Sequence, residues 1–195
     1  MKKKERSVNI PTIEEVENEQ KRLRHRAVYQ RTLRGTIAVL LVVAAISVLV
    51  ATLWMPVLQI YGSSMSPTLE AGQIVVSVKT NQLKTGEVVA FWQGNKLLIK
   101  RVIAGPGQWV DIDMDGNVTV DGQTLDEPYL TEKAPGNCDI DLPHQVSEAH
   151  WFLMGDNRDT SVDSRSTAIG DISKDQIEGQ IIFRIWPLNK IGSIQ

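Results

Sequence analysis

At 195 residues the chain has room for a membrane anchor plus one soluble domain of ordinary size with a real core, and two large domains are excluded. Its single cysteine, Cys138, excludes an intrachain disulfide, so the fold must hold by packing even in an oxidising compartment. The net charge of −2 conceals an asymmetry: residues 1–34 carry ten Lys/Arg against five Asp/Glu, leaving eleven against eighteen for the remainder.

Residues 1–34 are polar and mixed in charge, with Glu14, Glu15, Glu17 and Glu19 ahead of a basic cluster, and are expected to form a loose or partly helical tail. The cluster has three readings: a topology signal, contact with anionic lipid, or contact with RNA. No aromatic stacking residues interleave with it as in a single-strand binder, so no nucleic-acid partner is assigned. Residues 35–55, Gly35 to Met55, are uncharged and apolar, and as a helix would reach roughly 32 Å at ~1.5 Å per residue, enough to span a hydrocarbon core. Lys21, Arg22, Arg24, Arg26, Arg31 and Arg34 crowd its N-terminal side. The positive-inside rule therefore puts the N-terminus in the cytoplasm and the C-terminal part outside, with Trp54 at the outer interface. A cleaved secretory signal is the rival reading, but its apolar core and basic lead would both be shorter.

From Pro56 the pattern changes to short β-branched runs separated by turn residues, which predicts a mainly β, antiparallel domain over 56–195. The runs are Ile74–Val78, Glu87–Trp92, Lys96–Ile103 and Gly179–Trp186. Val110, Ile112 and Met114 alternate before Asp115-Gly116, and Val118 and Val120 after it, as in a hairpin. Residues 107–150 are richer in Asp, Gly, Pro and Asn, which suggests a small β excursion from the main sheet.

Two residues draw attention for chemistry. Ser64 lies in Gly62-Ser-Ser-Met-Ser-Pro-Thr-Leu69, where Gly62 frees the backbone for a close approach and Pro67 stiffens the exit, so a hydroxyl and a backbone N–H can face one carbonyl. A capping or turn-forming serine is the plainer alternative. Lys100 follows Leu97-Leu98-Ile99 and precedes Arg101-Val102-Ile103, the most apolar surroundings of any lysine beyond the anchor. A lysine acts as a base only when neutral, which its ordinary pKa of ~10.4 forbids at neutral pH unless burial lowers it. The alternative is an edge-strand lysine reaching solvent. In a strand, Leu98 and Lys100 share one face and Ile99 and Arg101 the other.

Other motif-like features carry less. Asp111-x-Asp113-x-Asp115-Gly116 imitates the opening of a calcium loop, but its twelfth position is Gly122 and no helices flank it. Asn117-Val118-Thr119 fits a glycosylation sequon, a tripeptide frequent by chance. His144 and His150 lack a compact ligand pattern, so no metal is proposed.

Taken together, Gly62–Leu69, Thr85-Gly-Glu-Val-Val-Ala-Phe91, Ile99-Lys-Arg-Val-Ile-Ala-Gly-Pro-Gly107 and Gly155-Asp-Asn-Arg-Asp-Thr-Ser-Val-Asp-Ser-Arg165 resemble the bacterial type I signal peptidases, in matching order and from about Val57 to Pro187. The resemblance implies a membrane-bound serine endopeptidase of mostly β fold that removes signal peptides from exported preproteins with a Ser/Lys dyad, without metal or other cofactor. Ser64 matches the nucleophile and Lys100 the general base. Ser161 matches the serine that orients the lysine, and Asp163 and Arg165 a supporting ion pair. Some family members have a serine two residues before the nucleophile; glycine stands here at position 62, so the oxyanion hole should rely mainly on the Ser64 N–H. The substrate is expected to lie extended along strand edges near Gly62, Met65, Leu98 and Ile99, with preprotein signal peptides and membrane lipid as partners and the bacterial cell membrane as location.

A self-cleaving Ser/Lys repressor would need a DNA-reading helix pair where the apolar segment stands. A membrane-tethered β module that binds a partner without catalysis would leave Ser64 and Lys100 incidental, and both could then change without effect.

Overall fold

The computed structural model describes residues 12–80 and 82–194, which divide into a helical unit ending at Val50 and a β unit from Ala51 onward. One helix, α1 (Ile13–Trp54), passes through the basic cluster and Gly35 without a break. Its start is chemically marked. Thr12 Oγ1 accepts the Glu15 N–H at 3.4 Å, and Glu15 Oε2 accepts the Thr12 N–H at 2.9 Å, a reciprocal cap on two donors that the first turn would otherwise orphan. The stretch expected to be loose or partly helical is thus continuous helix from Ile13, while residues 1–11 and the side chain of Trp54 lie outside the described residues. The helix is long and apolar enough to cross a membrane, and Ile37, Leu40, Leu41, Val43 and Ile46 stand exposed along it.

The β unit follows from its β-branched runs. In chain order its strands are β1 (Val57–Gln59), β2 (Ile74–Val78), β3 (Val88–Gln93), β4 (Lys96–Ala104), β5 (Trp109–Ile112), β6 (Val118–Val120), β7 (Gln123–Thr124), β8 (His144–Gln145), β9 (His150–Met154), β10 (Ile172–Ser173), β11 (Ile177–Trp186) and β12 (Gly192–Ser193). The main sheet has the order β1-β2-β11-β3-β4-β9-β10, with β12 also on β11, and every pairing is antiparallel. The second sheet, β7-β6-β5-β8, is drawn wholly from the Asp- and Gly-rich stretch.

The Asp115-Gly116 hairpin forms with Val110 opposite Val120 and Ile112 opposite Val118. Asp113 makes the turn by accepting the Asp115 and Asn117 N–H groups at 2.9 and 2.8 Å, which occupies the carboxylate of the calcium-like motif. Gly116 has φ +79°, and a Cβ there would collide with the Ala134 backbone, so this turn requires glycine twice over. Val110, Ile112, Val118 and Val120 pack with Ile103, Phe152 and Met154, joining the two sheets through one apolar cluster.

Two further clusters lie on the main sheet. Val89, Phe91, Val102, Leu153 and Ile172 form one, to which Leu98 adds. Ile60, Met65, Leu69, Val75, Val88, Ala90 and Ile181 form the other, to which Leu97 and Ile99 add. Residues 97–99 of β4 therefore alternate between two cores, the period of two that a strand with both faces covered requires.

Candidate active site

The loop from Ile60 to Gln73 is closed at its base, where Ile60 N–H donates to Gln73 O at 2.8 Å and Gly72 N–H to Ile60 O at 2.9 Å. Within it Gly62 adopts φ +82°, and Ser66 N–H returns to Ser63 O at 3.0 Å. Met65 and Leu69 are buried in the core and tied by a bond from Leu69 N–H to Met65 O. These anchors hold the neighbouring Ser64 half-exposed at the surface, and the Ser64 N–H donates to no acceptor among the described residues.

Opposite stands β4, paired with β3 in the register Lys100↔Val89 and Arg101↔Val88. Strand β9 joins its other edge only from Arg101 onward, where Arg101 faces Met154, so Lys96 to Lys100 have a strand partner on one side alone. Among the described residues, strand β1 likewise has β2 as its sole strand partner. A pocket of about 230 Å³ is lined by residues 58–62, Ser64 and Met65 from the one segment and by Leu97, Leu98, Ile99 and Lys100 from the other. It collects Gly62, Ser64, Met65, Leu98, Ile99 and Lys100 at one place; Ser161, Asp163 and Arg165 are not among its lining residues.

Lys100 is 3% exposed, and among the described residues its side-chain amine makes no hydrogen bond or ion pair. Burial pulls its pKa from the ordinary 10.5 down to about 8. Asp163 opposes that fall, Arg165 adds to it, and Asp156 opposes it weakly. At pH 7 a group titrating near 8 is neutral in roughly one molecule in ten, against fewer than one in a thousand at 10.5.

Asp163 and Arg165 form a buried pair, with Arg165 Nε and Nη2 donating to the two carboxylate oxygens, each at 2.8 Å. Burial alone would raise the Asp163 pKa, but the Arg165 bonds and charge, together with the Gly155 N–H at 2.9 Å, hold it below its usual range. Ser161 Oγ is close enough to help hold that carboxylate ionised, yet this buried hydroxyl makes no well-formed hydrogen bond. Gly155 explains how these groups approach Ser64. A Cβ on it would overlap both Ser161 Oγ and Ser64 O, and the next residue but one, Asn157, donates its N–H to Ser64 O at 3.0 Å.

Several supporting residues lie within the sequence motifs, and two, Glu127 and Tyr129, lie outside them. Arg101 binds Asp156 bidentately at 2.8 and 2.7 Å, donates to Gly86 O and Thr68 Oγ1, and lies 3.8 Å from the Tyr129 ring centroid. Arg158 donates to Gly155 O and pairs with Glu127. Both pairs are buried. The repeated charges in Gly155–Arg165 were a signal that something pairs with them; Glu127 carries no local signal.

The antiparallel β unit thus places a serine and a lysine whose pKa is lowered by burial on one small pocket. Residues 33–186 match the family described as signal peptidase, peptidase S26. The chain is 37% identical over 151 residues to signal peptidase IB of Staphylococcus aureus (strain COL), covering 67% of this chain and 78% of that one. It is 33% identical over 167 residues to signal peptidase I of Bacillus licheniformis, covering 79% and 88%. A crystal structure of a signal peptidase I from Enterococcus faecalis V583 superposes with a TM-score of 0.45 at 24% identity, over 52% of this chain and 98% of that one. The chain belongs to the signal peptidase family, peptidase S26, and is a membrane-anchored hydrolase of the serine endopeptidase type.

Proposed function

We propose that the protein cleaves N-terminal signal peptides from exported preproteins, with Ser64 as nucleophile and Lys100 as general base. The observation that carries this is the shared pocket: Ser64 and Lys100 line the same 230 Å³ space, and the lysine is buried enough to titrate near 8. Its volume falls below the ~300 Å³ at which small-molecule sites begin, which suits small side chains before the scissile bond and rejects bulky ones. The open edges of β1 and β4 supply unpaired N–H and C=O groups on which an extended peptide adds as a strand.

Neutral Lys100 takes the Ser64 proton as Oγ bonds to the carbonyl carbon, and the free Ser64 N–H steadies the resulting oxyanion. The carbon–nitrogen bond then breaks and Lys100 returns the proton to the leaving amine. Water, deprotonated by Lys100, attacks the acyl-enzyme, and Ser64 regains its proton as the acid leaves. Ser161, with its unpartnered buried hydroxyl, is assigned to orienting the Lys100 amine, and the Asp163–Arg165 pair to fixing Ser161 and Gly155.

Residues 1–34 are assigned to the cytoplasm, 35–55 to the bilayer and 56–195 to the outer face, with the basic cluster as the orienting signal. Anchoring enzyme and signal peptide in one bilayer raises their effective concentration. The test is processing of a labelled preprotein by full-length protein in detergent. Ser64→Ala and Lys100→Met are each expected to lower cleavage by about 10³-fold or more while leaving the protein folded; wild-type processing by either rejects the assignment.

A further inference from the structure

The loop bearing Ser64 separates two pockets of opposite character. On one side is the small apolar pocket already described. On the other, a larger space of about 460 Å³ is lined by Ser66 and Pro67, two and three residues beyond Ser64, by Thr131, Glu132 and Ala134, and by the Asp156–Asp159 turn. Asn157, which lines this second pocket, is also the residue whose N–H holds Ser64 O, so its wall and the Ser64 backbone are one hydrogen-bonded unit.

Its charges are unequally engaged. Asp156 is spent on Arg101 and Arg158 on Glu127, all four buried. Glu132 and Asp159 are exposed at the rim and form no ion pair among the described residues. The pocket therefore presents two uncompensated carboxylates, backed by hydroxyl and amide groups, on walls joined to Ser64 by Ser66 along the chain and by the Asn157 N–H.

A peptide bond attacked by Ser64 has an acyl side and an amine side, and the two must leave the loop in different directions. The apolar pocket takes the acyl side. We infer that the Ser66–Asp159 pocket receives the first residues of the mature chain, on the amine side of the scissile bond, and that Glu132 and Asp159 favour a basic residue and disfavour an acidic one at the second and third of these positions. Its greater volume fits long side chains such as lysine or arginine. The inference rests on Ser64 being the nucleophile, and deepens that proposal by naming what selects substrate on its far side.

The test uses full-length protein in detergent micelles and peptides identical up to the scissile bond that carry Lys, Gln or Asp at the second and third positions after it. The quantity read is the ratio of kcat/KM for the Lys and Asp peptides, which does not depend on how much of a variant is folded. Two rim carboxylates, each acting with the strength of an exposed pair, predict a ratio of about five in wild type at low ionic strength. The ratio should fall below about two in the Glu132→Gln/Asp159→Asn double variant, and in wild type it should shrink as salt is raised. Equal cleavage of the two peptides by wild type, or an unchanged ratio in the double variant, overturns the inference while leaving the Ser64 assignment standing. Cleavage of all three peptides by Ser64→Ala would instead remove the assignment on which it rests.

Discussion

Lys100→Met keeps an unbranched side chain of similar reach and removes the amine, so it isolates what the buried charge does to the fold. The gap between 10.5 in the unfolded chain and about 8 in the folded one corresponds, at ~1.4 kcal/mol per pH unit, to about 3 kcal/mol. The sign follows from proton binding. Between those two values the unfolded chain keeps a proton that the folded chain releases, so wild type gains stability as pH rises through the window. Below it the whole cost of an ammonium buried at 3% exposure is present. The variant should therefore be the more stable protein at about pH 7, by up to about 3 kcal/mol or roughly 8 °C in Tm, and the advantage should close as pH approaches about 10.5. Tryptophan fluorescence during thermal and urea unfolding of both full-length proteins, at several pH values, reads the difference directly, and other titrating groups cancel between them. A variant less stable than wild type by the same amount at every pH would refute the reasoning, because it would mean the amine is solvated and only its stem packs.

Three further outcomes follow from the same geometry. With Lys100 as the proposed base, only its unprotonated form would be competent, so the logarithm of kcat/KM should rise with unit slope as pH increases towards about 8; a profile flat down to about pH 5 would remove that role. Asp156→Asn leaves the Arg101 guanidinium buried without its countercharge and should cost about 3–5 kcal/mol in chemical denaturation, far more than loss of an exposed pair such as Lys190–Glu70. Ser161→Ala should change stability by less than about 1 kcal/mol, since its hydroxyl makes no well-formed hydrogen bond, yet lower kcat with little change in KM; loss of stability without loss of kcat would make it a packing residue instead.

The β unit was legible because its strands announce themselves by β-branched alternation: Ile74–Val78 is β2 residue for residue, and the Asp115-Gly116 turn joins β5 to β6 as the alternation of Val110, Ile112, Val118 and Val120 predicts. The helix start was written in the chain too, as Thr12 and Glu15 in capping spacing, but the polarity of the segment pointed to a tail and hid it. The alternation of Leu98 and Ile99 between two faces was foreseeable from strand period alone; their gathering with Lys100 beside the Ser64 loop was expected only from the family resemblance, because the local pattern does not tell where β9 stops pairing with β4. Two of the buried ion pairs were the least visible. Arg101 and Asp156 are 55 residues apart, and Arg158 and Glu127 are 31 apart, distances at which no local period couples them and only the completed sheet brings them together.

The proposed mechanism requires an amine at position 100 that gives up its proton near neutral pH beside Ser64. Nuclear magnetic resonance titration of full-length protein carrying ¹³C-labelled lysine, with Lys100→Met to assign the signal, measures that property without reference to any substrate. A Lys100 resonance titrating near 8, well below those of the exposed lysines, is the expected result. Titration together with the other lysines near 10.5 would contradict it.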